Sequence, residues 1–392
     1  MSPARFFLRK KITDRIANGH PWVFANEINS REGHPAPGDI VEVLSSNGSF
    51  VGKGFYNGAS QIEVRLLTRD RSEVIDKDFF LRKIQAAWRY RQQLGYTENA
   101  RVVFGEADGL PGLIIDKFGD FFVVQTLTLG MDFRKPAVVE ALEAIFKPAG
   151  ILERNDVPVR KTEGLPLQKS FLSASFDPRI LISENGLRFE VDLEHGLQTG
   201  YFLDQHDNRR AIQHIVRGAD VLSAFSYTGS FEIHAGHYGA RSVLGIDQAP
   251  QAVEAANRNA ALNNLSDTVR FQTANAFDAL KALEKEGRRY DVVMLHPPAF
   301  TKGRETVPKA IAGYKEINLR GMKLLQPGGF LVTSSRTHLI DPPRFQAIIQ
   351  QAAHDARRSL RQVCWSSQSP DHPIRWEIPA THYLKFLIVQ VQ

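Results

Sequence analysis

Apolar and polar positions change period twice along the chain. Up to residue 73 the apolar residues alternate in short runs: within 61–67, Ile62, Val64 and Leu66 fall on one face of a strand. Turn sequences at 19–21, 35–38, 45–48 and 56–59 separate the runs. This pattern predicts a small all-β module over 1–73. From residue 76 to about 94, Phe79, Phe80, Ile84, Ala87, Trp88 and Tyr90 recur at helical spacing, and a helix is expected to open a second unit. A hairpin of 113–116 with 121–127 follows, then a helix over 135–146 with Pro136 in its first turn, so 74–182 is expected to be an α+β unit. From 183 the strands stop alternating. Continuous apolar runs at 221–225, 242–246, 268–272, 290–295 and 329–334 are separated by helical stretches such as 249–263 and 314–325, the latter stopped by Gln-Pro-Gly-Gly. Strands of that kind are buried on both faces, which predicts a parallel, doubly wound α/β sheet, Rossmann-like in form, over 183–392.

In such a sheet the ligand lies beyond the carboxyl ends of the strands, so the residues following each apolar run carry the functional signal. The first run ends in Phe225, Ser226, Tyr227, Thr228 and Gly229, a small-residue turn leading into a helix. The second ends in Asp247 and Gln248, about 20 residues on, the spacing at which an acid meets ribose hydroxyls. Asn275, Ala276 and Phe277 follow the third run, and His296, Pro297, Pro298, Ala299 and Phe300 the fourth. Each member has a plainer reading: Asp247 as a helix cap, Asn275 as a turn residue, His296 as a hydrogen-bonded residue of the cleft wall. The turn holds one glycine where a dinucleotide-binding loop has three, which argues against a pyrophosphate resting on the helix N-terminus. The rigid Pro297-Pro298 wall, without N–H donors, suits a flat base placed beside a methyl donor.

Composition narrows this modestly. The chain has 392 residues, 43% hydrophobic and 23% charged, as in ordinary globular proteins of two or three domains. A net charge of +6 suits a polyanionic partner without requiring one. Arg5, Arg9, Lys10, Lys11, Arg15 and Arg65 could form a phosphate-facing patch on the β module, or be solvated surface. His20, Trp22 and Phe24 could stack bases, or be a buried aromatic cluster. The charged stretch of Arg154, Asp156, Arg160, Lys161 and Glu163 reads as a solvated or ion-paired loop. A single cysteine, Cys364, excludes an intramolecular disulfide and a multi-cysteine zinc site. No apolar run spans a bilayer, and a cytoplasmic location is expected.

Five motifs acting together carry a resemblance: Gly-His-Pro-Trp-Val-Phe at 19–24, Gly-Glu-Ala-Asp-Gly-Leu-Pro-Gly at 105–112, His-Gly-Leu-Gln-Thr-Gly-Tyr-Phe-Leu-Asp-Gln at 195–205, Phe-Ser-Tyr-Thr-Gly-Ser-Phe at 225–231 and Asp-His-Pro at 371–373. Over nearly its whole length the chain resembles the PUA-domain-containing class I S-adenosylmethionine-dependent methyltransferases that act on cytosine C5 of bacterial large-subunit rRNA. The resemblance implies a PUA-like RNA-binding module, a central α+β domain and a Rossmann-like methyltransferase domain. It also implies S-adenosylmethionine as cofactor, ribosomal RNA as partner, and a homodimer. By residue, it implies that Thr199, Tyr201, Phe202, Asp204 and Arg209 border the cofactor, that Phe225, Ser226, Tyr227 and Gly229 pass beneath it, that Asp247 takes the ribose hydroxyls, and that Gln248, Asn275 and Ala276 surround the adenine. Pro297, Pro298 and Phe300 would face the substrate base.

The chain departs from that family at its reacting centre. Cytosine C5 is a poor nucleophile, and its methylation uses a cysteine thiolate added at C6. The family places that cysteine after the fifth strand, where this chain has Arg336, and the family's Asp-Pro-Pro is His296-Pro297-Pro298 here. Cys364 lies in an apolar segment that reads as a buried strand thiol. Three readings follow: a methyltransferase acting on a different atom, with His296 accepting a proton or hydrogen bond; a cofactor- and RNA-binding protein without transfer activity; and an NAD-type dehydrogenase with a look-alike turn.

Overall fold

The computed structural model describes residues 3–10, 13–301 and 303–392. Lys11 lies outside the described residues. The chain forms two compact units: Met1–Ile180 with Val191–Leu203 and Pro370–Thr381, and Leu181–Glu190 with Asp204–Ser369 and His382–Gln392.

The first unit contains two sheets. Strands Arg5–Leu8, Trp22–Phe24, Ile28–Glu32, Ile40–Leu44, Phe50–Tyr56 and Ile62–Thr68 form a six-stranded sheet, antiparallel except where Arg5–Leu8 runs parallel to Ile40–Leu44. Alternation explains its core: Phe6, Val23, Val41, Val43 and Val64 are wholly buried. The second sheet has five strands, including the expected hairpin of Leu113–Phe118 with Phe121–Thr126, and packs against helices Lys77–Gln93 and Lys135–Phe146. Asp76 caps the first of these helices by accepting from the N–H of Phe79 at 3.0 Å.

Two sequence expectations change here. The basic patch of the β module is largely neutralised, because Arg5 pairs with Glu32, Arg15 with Glu27, and Arg65 with Glu106 and Glu163. The loop expected to be solvated is instead mostly buried. Arg160 is 0% and Glu163 2% exposed, and Arg154 donates to the carbonyls of Leu193 and Gly196. Ion pairing was the correct half of that reading. The paired charges are tolerated inside because each carries several hydrogen bonds. His20, Trp22 and Phe24 form an edge-to-face cluster, with the Trp22 indole N–H donating to Glu106, so the cluster is structural.

The second unit is built on a seven-stranded sheet. Its strands are β1 (Asp220–Ala224), β2 (Ser242–Asp247), β3 (Val269–Thr273), β4 (Tyr290–Leu295), β5 (Leu325–Ser335), β6 (Leu360–Ser366) and β7 (Lys385–Val391), in the order β3-β2-β1-β4-β5-β7-β6. The first five are parallel as the apolar runs predict, but β7 inserts antiparallel between β5 and β6, so the sheet is mixed. Helices α1 (Ser230–His237), α2 (Pro250–Leu262), α3 (Ala276–Lys285), α4 (Val307–Lys323) and α5 (Pro342–Ala356) connect the strands. Leu222, Val293, Leu295, Tyr314 and Leu331 are completely buried in one core, each stabilising by roughly 1.5–3 kcal/mol over the exposed state. The chain order reverses between β1 and β4, which opens a crevice at their carboxyl ends.

Candidate functional site

The floor of the crevice is the turn after β1. Phe225, Tyr227 and Gly229 all have left-handed backbone, with φ of 66°, 49° and 83°. Holding non-glycine residues there costs about 1–3 kcal/mol each and is found chiefly at functional sites. The turn keeps this shape because it is tied to the end of β2: Phe225 and Ser226 donate to the Ile246 carbonyl, and the Tyr227 N–H donates to Asp247 Oδ2 at 2.8 Å. Gly229 is required sterically as well as conformationally, since a Cβ there would sit 2.5 Å from Phe271 Cζ.

Asp247 is therefore partly a structural acceptor, taking the N–H groups of Tyr227 and, through Oδ1 at 3.0 Å, Ala249. Each carboxylate oxygen retains a second acceptor site for a hydroxyl. Gln248 beside it is exposed. Asn275 caps α3, its Oδ1 accepting from Phe277 at 3.0 Å and Asp278 at 3.4 Å, while Ala276 is buried at the start of the helix. An apolar wall joins these strand ends: Phe225, Phe277 and Phe300 have ring centroids 5.8 to 6.4 Å apart. Tyr314 continues it, 4.7 Å from Phe300, its hydroxyl donating to the Pro298 carbonyl at 3.4 Å. Pro297 is buried and Pro298 exposed.

His296 is packed in aromatic surroundings, its ring stacked 3.8 Å from Phe231 and 6.3 Å from Phe386. Its Nδ1 lies 3.1 Å from Ser334 Oγ, and its Nε2 is buried without a partner. Burial, with the charge of Arg209 adding to it, pushes the imidazole down to about 3, so the ring is neutral at any working pH.

The position after β5 is occupied by an ion pair. Arg336 reaches both oxygens of Asp204, at 3.0 and 2.9 Å, and the Tyr383 hydroxyl donates to the same carboxylate at 2.6 Å. Asp204 is 2% exposed. Beside it the Lys385 ammonium donates to the carbonyls of Thr337 and Tyr383, and burial pushes this amine down to about 8. Arg209 is fully buried against Glu184; despite its burial, the carboxyl is held down at about 2 by the facing guanidinium.

Cys364 is half-buried on β6, the edge strand of the sheet, where the sequence suggested a buried thiol; an edge strand leaves one flank open. Thr199, Tyr201 and Phe202 belong to the first unit. There Thr199 has φ of 66° and its hydroxyl donates to Asp116 at 2.7 Å, and Tyr201 is buried.

The second unit thus brings together Phe225–Gly229, Asp247, Asn275 and Phe300. Sequence reasoning passed over Tyr383, Lys385, Glu184 and Glu232. The last is a carboxyl in the first turn of α1, 1% exposed, with neither oxygen hydrogen-bonded. Its only sequence signal is an acid inside the otherwise apolar helix start after Gly229. Among the described residues no cluster of potential metal ligands occurs and no helix is long and apolar enough to cross a membrane.

These groups fit S-adenosylmethionine. A carboxylate with spare acceptor capacity ends β2, the rings of Phe225 and Phe277 meet at the neighbouring strand ends, and the buried Ser226 Oγ in the turn has no partner. Residues 6–69 match a PUA-like domain, and residues 170–385 match the S-adenosylmethionine-dependent methyltransferases. The ribosomal RNA large subunit methyltransferase I of Shewanella amazonensis is 40% identical over 389 residues, covering 98% of this chain and 97% of that protein. Among solved structures, a Streptococcus mutans protein described as a SAM-dependent methyltransferase superposes with a TM-score of 0.82 at 18% identity, covering 98% and 99% of the two chains. A methyltransferase fold solved with SAH superposes with a TM-score of 0.84 at 19% identity and the same coverage. The chain belongs to the S-adenosylmethionine-dependent methyltransferase family, in the form that carries a PUA-like domain near its N-terminus.

Proposed function

We propose that this methyltransferase modifies large-subunit ribosomal RNA at an atom that attacks the methyl group directly, with no cysteine adduct. The observation that carries the reading is Arg336. The site after β5 holds, in place of a thiol, a guanidinium paired with Asp204, whose carboxylate also accepts from the Tyr383 hydroxyl. Cys364 cannot substitute for it. Three strand spacings of about 4.8 Å separate β6 from β4, or roughly 14 Å. Bound S-adenosylmethionine would supply an electrophilic methyl group; an exocyclic amine or similar lone pair would take it without prior addition at C6, with S-adenosylhomocysteine leaving and the amine's proton passing to water.

In this reading Asp247 accepts the ribose hydroxyls, and Phe225, Ser226, Tyr227 and Gly229 form the floor. Gln248, Asn275 and Ala276 lie about the adenine; Thr199, Tyr201 and Phe202, which the resemblance also assigns to the cofactor, belong to the first unit. Asp204 and Arg209 support the pocket through their ion pairs. His296, neutral and stacked on Phe231, holds the Pro297-Pro298 wall against which the target base rests with Phe300; it does not transfer the proton. The boundaries near residues 73 and 182, read from the changes of period, a cytoplasmic location, read from the lone cysteine and the absence of a bilayer-length apolar run, and a homodimer, implied by the resemblance, belong to the same proposal.

Mass spectrometry of ribosomal RNA from a deletion strain tests the reading, with one missing methylation that does not lie on cytosine C5 as the expected result. Calorimetric binding of S-adenosylmethionine with an unchanged modification profile would instead assign the chain as a binding protein. Cys364→Ser is expected to leave transfer intact, checked by methyl incorporation into large-subunit RNA.

A further inference from the structure

The first unit has a groove of about 640 Å³ that the cofactor site does not use. Its walls come from the β module, from helix Lys77–Gln93, from residues 106–109 and from residues 373–378. Three carboxylates line it, and each faces a guanidinium: Asp108 that of Arg91 at 2.6 Å, Glu106 that of Arg65 at 3.3 Å, which it shares with Glu163, and Glu377 that of Arg375. The lining also holds Arg69 and Lys83, for which no acidic partner occurs among the described residues. Arg69 is held in place by the carbonyls of Ile16 and His20, at 2.9 and 3.2 Å, bonds that leave its charge uncompensated. Lys83 lies over the Phe79 ring at 5.4 Å. The groove therefore offers two cations, Arg69 and Lys83, that no carboxylate engages among the described residues.

Beside it stands Trp376, 94% exposed. Tryptophan is among the most buried residue types on average, so a bare indole on a folded surface calls for a ligand. Trp376 tops a tight turn closed by the Ile378 N–H donating to the Arg375 carbonyl at 2.9 Å, with the Arg375 N–H bound to Thr381 Oγ1 at 2.9 Å. Tyr90, 38% exposed, lines the same groove. Exposed aromatic faces next to uncompensated cations are what a single strand of nucleic acid needs, bases stacking on the rings and phosphates meeting the charges.

We propose that this groove holds a single-stranded segment of the RNA substrate, with one base stacked on Trp376 and backbone phosphates at Arg69 and Lys83. The proposal rests on the RNA reading above and adds where the strand lies outside the methyl-transfer crevice. Fluorescence anisotropy with the full chain and a labelled single-stranded RNA of about 12 nucleotides tests it. Trp376→Ala is expected to weaken binding about tenfold, and Trp376→Phe to recover most of the loss, since stacking tolerates any aromatic face. Lys83→Ala is expected to reduce the slope of log affinity against log salt by about 0.7. Trp376 is so exposed that its replacement leaves the fold intact. If the wild-type protein binds RNA and Trp376→Ala binds equally well, the groove proposal fails while the substrate reading stands. If the wild-type protein binds no RNA, the substrate reading fails and takes the proposal with it. A loss of self-association in Trp376→Ala at unchanged RNA affinity would give the indole to a protein contact and overturn the proposal.

Discussion

Glu232 gives the sharpest quantitative test of how the cofactor floor is built. It sits in the first turn of α1, three residues after Gly229, with both oxygens buried and unbonded. The hydroxyls of Ser223 and Ser226 face it without hydrogen-bonding geometry. Burial pushes its carboxyl up from the usual 4.5 to about 7, and the nearby charge of Asp247 acts in the same direction. Between those two values the folded protein keeps a proton that the unfolded chain has released. The stabilising contribution of the protonated acid is thus complete below pH 4.5, declines as pH rises and is gone above about 7. At 1.36 kcal/mol per pKa unit the total loss is about 3 kcal/mol. Glu232→Gln puts a neutral group of the same shape in the same place and removes the titration. Urea unfolding from pH 4.5 to 8 should find the two proteins equal at the acid end and the variant about 3 kcal/mol more stable at pH 8. His234 and His296, which burial keeps neutral down to about 4 and about 3, lose stability in the opposite sense as pH falls, but they do so in both proteins and cancel in the difference. A wild-type-to-variant difference that stays constant over this range would refute the reasoning, because it would mean Glu232 ionises normally in the folded state.

With Asp247 on the ribose hydroxyls as proposed, Asp247→Ala should weaken S-adenosylmethionine about thirtyfold or more, measured by calorimetry, because two charge-assisted bonds would be lost together with the anchor of the Tyr227 N–H. Arg336→Ala strands the Asp204 carboxylate in a site 2% exposed, and should cost about 3 kcal/mol in urea unfolding. Arg336→Lys should recover only part of it, since an ammonium lacks the fork that meets both oxygens. Gly229→Ala combines a left-handed φ of 83° with a Cβ 2.5 Å from Phe271, and a loss of about 2–4 kcal/mol is expected by thermal unfolding.

Much of the fold could be read from periodicity. The five apolar runs after residue 220 became five parallel strands, and the turn at 225–229 lies where a nucleotide floor belongs. Local pattern sufficed there because a strand buried on both faces has no polar face to write, and because the carboxyl ends of such strands always lie along one edge. The antiparallel entry of β7 was not legible: an apolar strand reads the same in either direction, and its partners β5 and β6 are fixed only when the sheet assembles.

The charged residues show the same limit. Arg154, Arg160 and Glu163 read as a surface loop because sequence shows charge and not its compensation; the structure buries them with partners as distant as Leu193 and Asn57. Glu232 was overlooked for the converse reason. One acid at a helix start is ordinary in sequence, and only packing reveals that nothing bonds to it. Trp376, likewise, would be assigned to a core by its residue type alone.

The sequence by itself determined the strand and helix segments, the strand-end acid Asp247, the glycine of the turn and the loss of the thiol after the fifth strand, since each is a local choice of residue. What only the tertiary structure decided is which distant groups meet: Arg336 with Asp204 and Tyr383, Arg209 with Glu184, and His296 with the ring of Phe231. Charge and proton affinity at a buried site follow from the neighbours and the water left around them, and those are fixed by packing across the whole unit.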